Sequence, residues 1–198
     1  MKTFALMTLL WLISTNVYAE AYCSLRDPTA QIRQLFPQKS NQLSIVREVD
    51  ESTRKQVHLE LPRNDLHFSE LGKHTLYVAM ANDTALGYVH VRSEQSPWGL
   101  VEIVWALNTD LTIRDFAFQR CRSPKRKIIN DPNFKNIFVG KNLAQLKSLL
   151  NSDGVSANEY VVNIAKDAPE LANVVLRCAL KTLLITDVLW GQELSKYH

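Results

Sequence analysis

The sequence predicts an α+β domain, a single one in which helices pack on an antiparallel sheet. Three observations predict it. Between His74 and Gln119, apolar residues recur at alternate positions in successive short segments, the period of a strand. Tight turns separate these segments, and they are too short for the crossover that parallel strands need. From Asp167 to Trp190 the period changes to that of a helix, with Leu171, Val175, Cys178, Thr182, Ile185 and Leu189 on one stripe. Strands followed by helices around one core make an α+β domain.

The elements are justified in chain order. Lys2 is the only charge before Glu20, an apolar run extends from Phe4 to Ile13, and Val17-Tyr18-Ala19 follows with a small residue at its end. A charged start, a short apolar core and a small-residue exit predict a signal peptide over residues 1–19, cleaved after Ala19. The mature domain is then residues 20–198, exported to the periplasm. The apolar run is shorter than the roughly 20 residues of a spanning helix, and no later segment is apolar for long enough. Tyr22 is too bulky before Cys23 for a lipoprotein site.

Asp27-Pro28 predicts a helix start, an Asp cap followed by Pro in the first turn. Ile32, Leu35 and Phe36 mark its face and Pro37 stops it. Gln38 to Asp65 is polar and mixed; Val57, Leu59 and Leu61 alternate, as in a short strand. The sheet is expected from His74–Ala81, Leu86–Arg92, Leu100–Leu107 and Thr112–Gln119. Asn82-Asp83, Pro97-Trp98-Gly99 and Asn108-Thr109-Asp110 are the turns between them. Leu100 to Leu107 carries one charge, Glu102, so this strand is covered on both faces. Asp131-Pro132 repeats the helix-start signal before Phe134, Ile137 and Phe138, and Gly140 ends that turn. Asn142 caps a helix bearing Leu143, Leu146, Leu149 and Leu150. In the long C-terminal helix Leu176, Leu180 and Leu183 lie off the main stripe, which predicts cover on more than one side.

Lysine and arginine number 23 against 20 acidic residues, with a formal net charge of +3. That balance is far from a nucleic-acid binder, and export removes nucleic acid as a partner. Cys23, Cys121 and Cys178 allow one disulfide with one thiol left over. There is no Cys-x-x-Cys redox pair and no haem-attachment site. His58, His67, His74, His90 and His198 never occur at the spacing that puts two metal ligands on one helix face. His67 and His74 flank Glu70 in an expected loop. No metal site follows from this, and no catalytic residue: there is no Gly-x-Ser-x-Gly elbow, no Ser-x-x-Lys and no glycine-rich phosphate loop.

One cluster does carry a chemistry. Arg120, Arg122, Lys125, Arg126 and Lys127 follow the last strand, interrupted by Ser123-Pro124. Cations at a strand end beside a helix start suit a phosphate. Trp98, Trp105, Phe116 and Phe118 come from neighbouring strands and would supply an aromatic wall.

The order of these segments resembles the FMN-binding domain of periplasmic flavoproteins. That family includes the flavin-carrying subunits of the Rnf and sodium-pumping NADH:quinone reductase complexes, and the nitrous-oxide reductase regulator. Leu86-Gly87-Tyr88-Val89 reads like its Gly-Tyr strand. The stretches 98–107 and 111–116 read like its following strand-turn-strand unit. Phe134 to Phe138 with Gly140-Lys141 resembles its Phe-x-x-x-Phe helix and Gly-Lys, and Leu35-Phe36-Pro37 its N-terminal helix end. The resemblance implies FMN as cofactor, electron transfer as activity and a membrane redox complex as partner. Cofactor contacts would come from Arg120, Arg122, Ser123 and Lys125 for the phosphate and Trp98 for the ring, with Thr182 as the nearest hydroxyl to the family's covalent attachment point.

The sequence departs from the family in two places. Its Ser-Gly-Ala-Thr-x-Ser/Thr attachment segment is replaced by Arg177-Cys178-Ala179-Leu180-Lys181-Thr182, without the glycine. Its Glu-Thr-Pro-Gly-like segment is replaced by Cys121-Arg122-Ser123-Pro124. Two readings follow: a domain that holds FMN without a covalent bond, or one that has kept the fold without the cofactor and serves as an interaction or assembly module of a membrane redox complex.

Overall fold

Strand alternation and short turns produce an antiparallel meander covered by helices on both faces. The computed structural model describes residues 26–197. The expected signal peptide, Cys23 and His198 lie outside the described residues. The chain runs α1 (Thr29–Leu35), β1 (Asn41–Val49), α2 (Glu51–Glu60), a short 3₁₀ turn (Phe68–Glu70), β2 (Gly72–Ala81), β3 (Thr84–Ser96), β4 (Gly99–Leu107) and β5 (Ile113–Arg120). Three short helices follow, α3 (Arg126–Ile129), α4 (Pro132–Lys135) and α5 (Leu143–Lys147), then α6 (Glu159–Ala165) and α7 (Pro169–Leu194). The strands form one five-stranded sheet in the order β1-β2-β3-β4-β5, the α+β architecture the sequence predicts.

Both sheet faces are buried, for different partners. Under α7 lie Leu76, Val78, Tyr88, Ile103, Trp105 and Phe116. On the reverse face Ala79, Val89, Val91, Val104, Ala106 and Ala117 pack against Ile32, Leu35 and Phe36 around α1. The small residues there let a single short helix sit close. The aromatic wall expected from Trp105 and Phe116 is therefore core: both are fully buried, with ring centroids 5.0 Å apart, and Phe138 closes the cluster 5.9 Å from Phe116.

The segment 41–61 differs from expectation. Asn41–Val49 joins the sheet as a fifth strand, pairing along its length with β2. Val57, Leu59 and Leu61 are not a strand. Asp50 accepts the Thr53 N–H at 2.8 Å and starts α2, a cap signal the alternation obscured. The buried row is Thr53, Val57 and Leu61, four residues apart, while Leu59 points to solvent. Helix α6, capped by Asn158 onto Val161 N–H, was not anticipated; it forms the floor beneath the start of α7.

Candidate functional site

The basic segment leaves β5 and runs to the beginning of the longest helix. Arg120 stands opposite Glu102 in the β4–β5 register, with 3.6 Å between Nη1 and Oε1. Arg26 approaches the other oxygen of Glu102 at 3.6 Å. Arg122 is exposed and Ser123 buried. The Ser123 hydroxyl accepts the Lys125 N–H at 3.2 Å, and its carbonyl accepts the Arg126 N–H at 3.2 Å, which opens α3. Lys125 Nζ lies 4.0 Å from Asp167, two residues before α7.

Trp98 sits half-buried in the β3–β4 turn, at the same end of the sheet as Arg120, and packs on the main core. Thr182 is apart from all of these. It lies about 20 Å along α7 from the first residue of that helix, is fully buried, and donates its hydroxyl to the Cys178 carbonyl at 2.6 Å. The structure thus brings Ser123 and Lys125 to the start of α7, holds Arg120 against Glu102, and does not bring Thr182 to that group.

A cleft of about 530 Å³ opens beside this segment. Ile128, Phe134 and Ile164 line it together with Lys127, Lys166, Asn133, Asn163 and Asp131, whose carboxylate accepts the Asn133 N–H at 2.9 Å. Lys166 caps α6 with a φ of 52°, and this left-handed residue turns the chain into α7. Lys127 belongs to the basic cluster seen in the sequence. Lys166, Asn133 and Asn163 were not anticipated, because only the packing of α3, α4 and α6 makes them neighbours.

A second polar assembly is buried under α7, and sequence reasoning missed it. His90, Arg92 and Glu94 alternate along β3 and so share one face, the face that α7 covers. Arg92 donates to Glu70 Oε1 at 2.6 Å. Lys181 donates to Glu70 Oε2 at 3.0 Å and stands 3.1 Å from Glu94. Arg177 approaches Glu94 at 3.7 Å. Glu70 also accepts the His67 N–H at 2.8 Å, closing a capping box on the 3₁₀ turn. Behind these charges His74 contacts the Glu70 carbonyl at 2.9 Å, and His90 contacts the Thr186 hydroxyl at 2.9 Å. The two rings meet at 3.4 Å. The signal in the sequence was Arg177 and Lys181, two cations four residues apart in a largely apolar helical run.

The electrostatics follow from burial. Burial works against the Glu70 carboxylate, but the charges of Arg92 and Lys181 and the His67 N–H outweigh it, so its pKa lies below the ordinary value. Burial, helped by Arg92, lowers His74 to about 4 and takes His90 well below its usual range. Cys178 is pushed up to about 11 by burial and by Glu94, and burial also raises Cys121, so neither thiol is a ready nucleophile.

These shifts predict a fold that loses stability in acid. The folded state keeps His74 neutral while the unfolded chain protonates it below pH 6.5. Its contribution is therefore complete above pH 6.5 and is lost as the pH falls toward 4, about 3 kcal/mol in all. Glu70 acts in the same direction, its contribution being lost as the pH falls through its lowered pKa. The urea midpoint is expected to drop steadily between pH 7 and pH 4, and His74→Asn to flatten that drop. Equal midpoints at pH 7 and pH 4.5 would contradict the assignment.

Among the described residues, no helix is long and apolar enough to cross a membrane, and no group of three or more His, Cys, Asp or Glu side chains stands where it could hold a metal ion. No protein-family model and no curated protein matches the chain.

Proposed function

We propose that the chain is an exported, periplasmic FMN-binding domain that holds the flavin without a covalent bond and passes electrons within a membrane redox complex. The observation that carries the reading is the cleft beside the basic segment. Its volume of about 530 Å³ falls in the range of roughly 300–1,000 Å³ usual for cofactor sites. Ile128, Phe134 and Ile164 offer an apolar bed for a planar ring. Lys127 and Lys166 offer cations for a phosphate, and the Asn133 and Asn163 amides offer donors and acceptors for the ring edge. Lys125, Ser123 and Arg122 lie along the same segment, next to the start of a 26-residue helix whose N-terminal dipole favours an anion. When bound, the flavin supplies the redox chemistry and the protein orients it.

The second reading, a cofactor-free interaction or assembly module, draws on Thr182. Its hydroxyl is enclosed and bonded inside α7, so the position nearest the family's attachment point offers no acceptor for a phosphate.

Titrating the purified mature protein with FMN separates the two. Flavin binding predicts quenched fluorescence and a shifted flavin absorbance band. Lys127→Gln with Lys166→Gln is expected to weaken binding at least tenfold, on the scale of about 1.4 kcal/mol per factor of ten. The triple change of Arg120, Arg122 and Lys125 to Gln tests the neighbouring segment. No spectral change at high FMN concentration removes the flavin reading and leaves the assembly module.

A further inference from the structure

We propose that two copies of this chain associate through β1, whose outer edge pairs antiparallel with the same edge of the second copy and joins two five-stranded sheets into one. β1 ends the sheet. It pairs with β2 at every position from Asn41 to Val49 without a bulge, and among the described residues no strand lies on its other side. The surface shares no residue with the cleft and does not depend on the flavin reading.

The two edges of the sheet are built differently. At β5 the outer groups are taken. The Ile113 N–H and C=O bond Lys141 and Gly140. The Phe116 N–H is accepted by Asp115 Oδ1 at 2.7 Å, and the Phe116 carbonyl accepts Lys135 Nζ at 2.5 Å. Folded chains blunt an edge by such cover, by proline, by a bulge or by a short strand, because an open edge recruits another strand. β1 has none of these. It is nine residues long, and its charges, Arg47 and Glu48, stand together near one end. Leu43 is 40 % exposed and Val46 49 %. Alternation puts them on opposite faces, so an incoming strand has room on either side.

Local hydrogen bonds show which groups face outward. In an antiparallel ladder alternate residues bond inward. The Gln42 N–H is held by Asn41 Oδ1 at 2.7 Å, and the Val46 carbonyl accepts Arg47 Nη1 at 3.0 Å. Gln42, Ser44, Val46 and Glu48 therefore present their N–H and C=O away from β2.

Self-pairing about Ser44 matches these groups to one another. Ser44 then stands opposite Ser44 of the second copy, Gln42 opposite Val46, and Leu43 opposite Ile45. The Gln42 N–H meets the Val46 carbonyl, and these are the two groups now held by neighbouring side chains. The released side chains, Asn41 and Arg47, fall opposite each other on one face, where the amide oxygen accepts from the guanidinium. The second guanidinium nitrogen keeps its bond to Glu193. Leu43 with Ile45 makes an apolar cross-strand pair on each side of the dyad. Centring on Ile45 or Val46 sets Arg47 against an apolar residue, and centring on Arg47 sets like charges face to face. The fit of this strand to its own reverse selects a second copy over a foreign peptide. It is the isologous contact of a twofold dimer.

The test is the mass of the mature protein by sedimentation over a concentration series without FMN. A single strand pair buries less than the roughly 1,600 Å² of a stable complex, so the dimer should form only as concentration rises. Ser44→Pro removes an outward N–H and no bond to β2, which an edge strand tolerates. It should weaken dimerisation at least tenfold and leave circular dichroism and FMN binding unchanged. Val46→Lys, a charge on the open edge, should do the same without touching the backbone. The register is read by cross-linking, with Cys23 and Cys121 replaced by serine. Copies bearing Leu43→Cys and copies bearing Ile45→Cys, mixed under mild oxidation, should join to each other faster than either joins to itself. Directly opposite residues outside the hydrogen-bonded pairs have Cα atoms about 4.5 Å apart, within disulfide reach. The proposal is overturned if the parent stays monomeric up to about 1 mM, the weak end of the affinity scale. It is overturned equally if both edge variants dimerise like the parent, or if Ile45→Cys joins preferentially to itself.

Discussion

Replacing Gly87 with alanine is expected to destabilise the domain by about 4 kcal/mol. The glycine sits in β3 with φ +148°, and a Cβ there would lie 2.2 Å from the Leu107 carbonyl oxygen and 2.9 Å from the Phe36 ring. The ring could yield; the carbonyl cannot. It belongs to β4, whose Leu107 is paired with Tyr88, the next residue along β3. Overpacking of a tight site costs about 1–3 kcal/mol, and holding a non-glycine residue at this backbone angle costs about 1–3 kcal/mol more. A register shift lies beside it, with Ala79 paired to Gly87 but Met80 to Ala85. The Gly-Tyr pair noted in the sequence thus has a packing reason. Urea denaturation of Gly87→Ala should show a lower midpoint at unchanged slope, and a loss under about 1 kcal/mol would contradict the clash.

Removing one charge from the cluster under α7 should cost a comparable amount. Arg92 is 1 % exposed and bonds Glu70, which is 3 % exposed. Arg92→Met removes the donor to Glu70 Oε1 and leaves buried Glu70 with Lys181, which it shares with Glu94; Arg177 reaches Glu94, at 3.7 Å, and is itself partly exposed. Breaking a buried pair in this way costs about 3–5 kcal/mol. The companion variant Glu70→Gln keeps an oxygen for the His67 N–H and removes the negative charge. The double variant Glu70→Gln with Arg92→Met leaves Glu94 with Lys181 and Arg177 and no carboxylate short of a partner, and it should recover roughly 1–3 kcal/mol of the single loss. Additive single losses in urea denaturation would show that the two residues do not act as a pair.

The cluster explains why the sequence was silent about it. On β3 the residues His90, Arg92 and Glu94 alternate with Val89 and Val91, which reads as a strand with one wet face. Their wet face is in fact covered, and their partners stand far off in the chain: Lys181 lies 111 positions from Glu70. A period of two tells which residues share a face and carries no information on what lies over that face. The same limit hid β1, whose hydrophobic side is poor and whose strand character comes from pairing with β2. In α2, exposed Leu59 mimicked an alternation that the buried row Thr53-Val57-Leu61 contradicts.

The residues around the proposed cleft were legible in part. The basic segment and its position after the last strand followed from the residues themselves, as did the start of the long helix near it. Lys166, Asn133 and Asn163 could not be read, since their proximity to Lys127 depends on how three short helices fold against α7.

By itself the sequence determined the strands β2 to β5, their turns, the long helix and its double cover, because these rest on local periodicity and on caps a few residues long. The tertiary structure alone decided the fifth strand, which helices cover each face of the sheet, the cleft and the paired charges under α7. Those depend on contacts between residues distant along the chain, and local pattern carries no record of which distant surface will exclude the water.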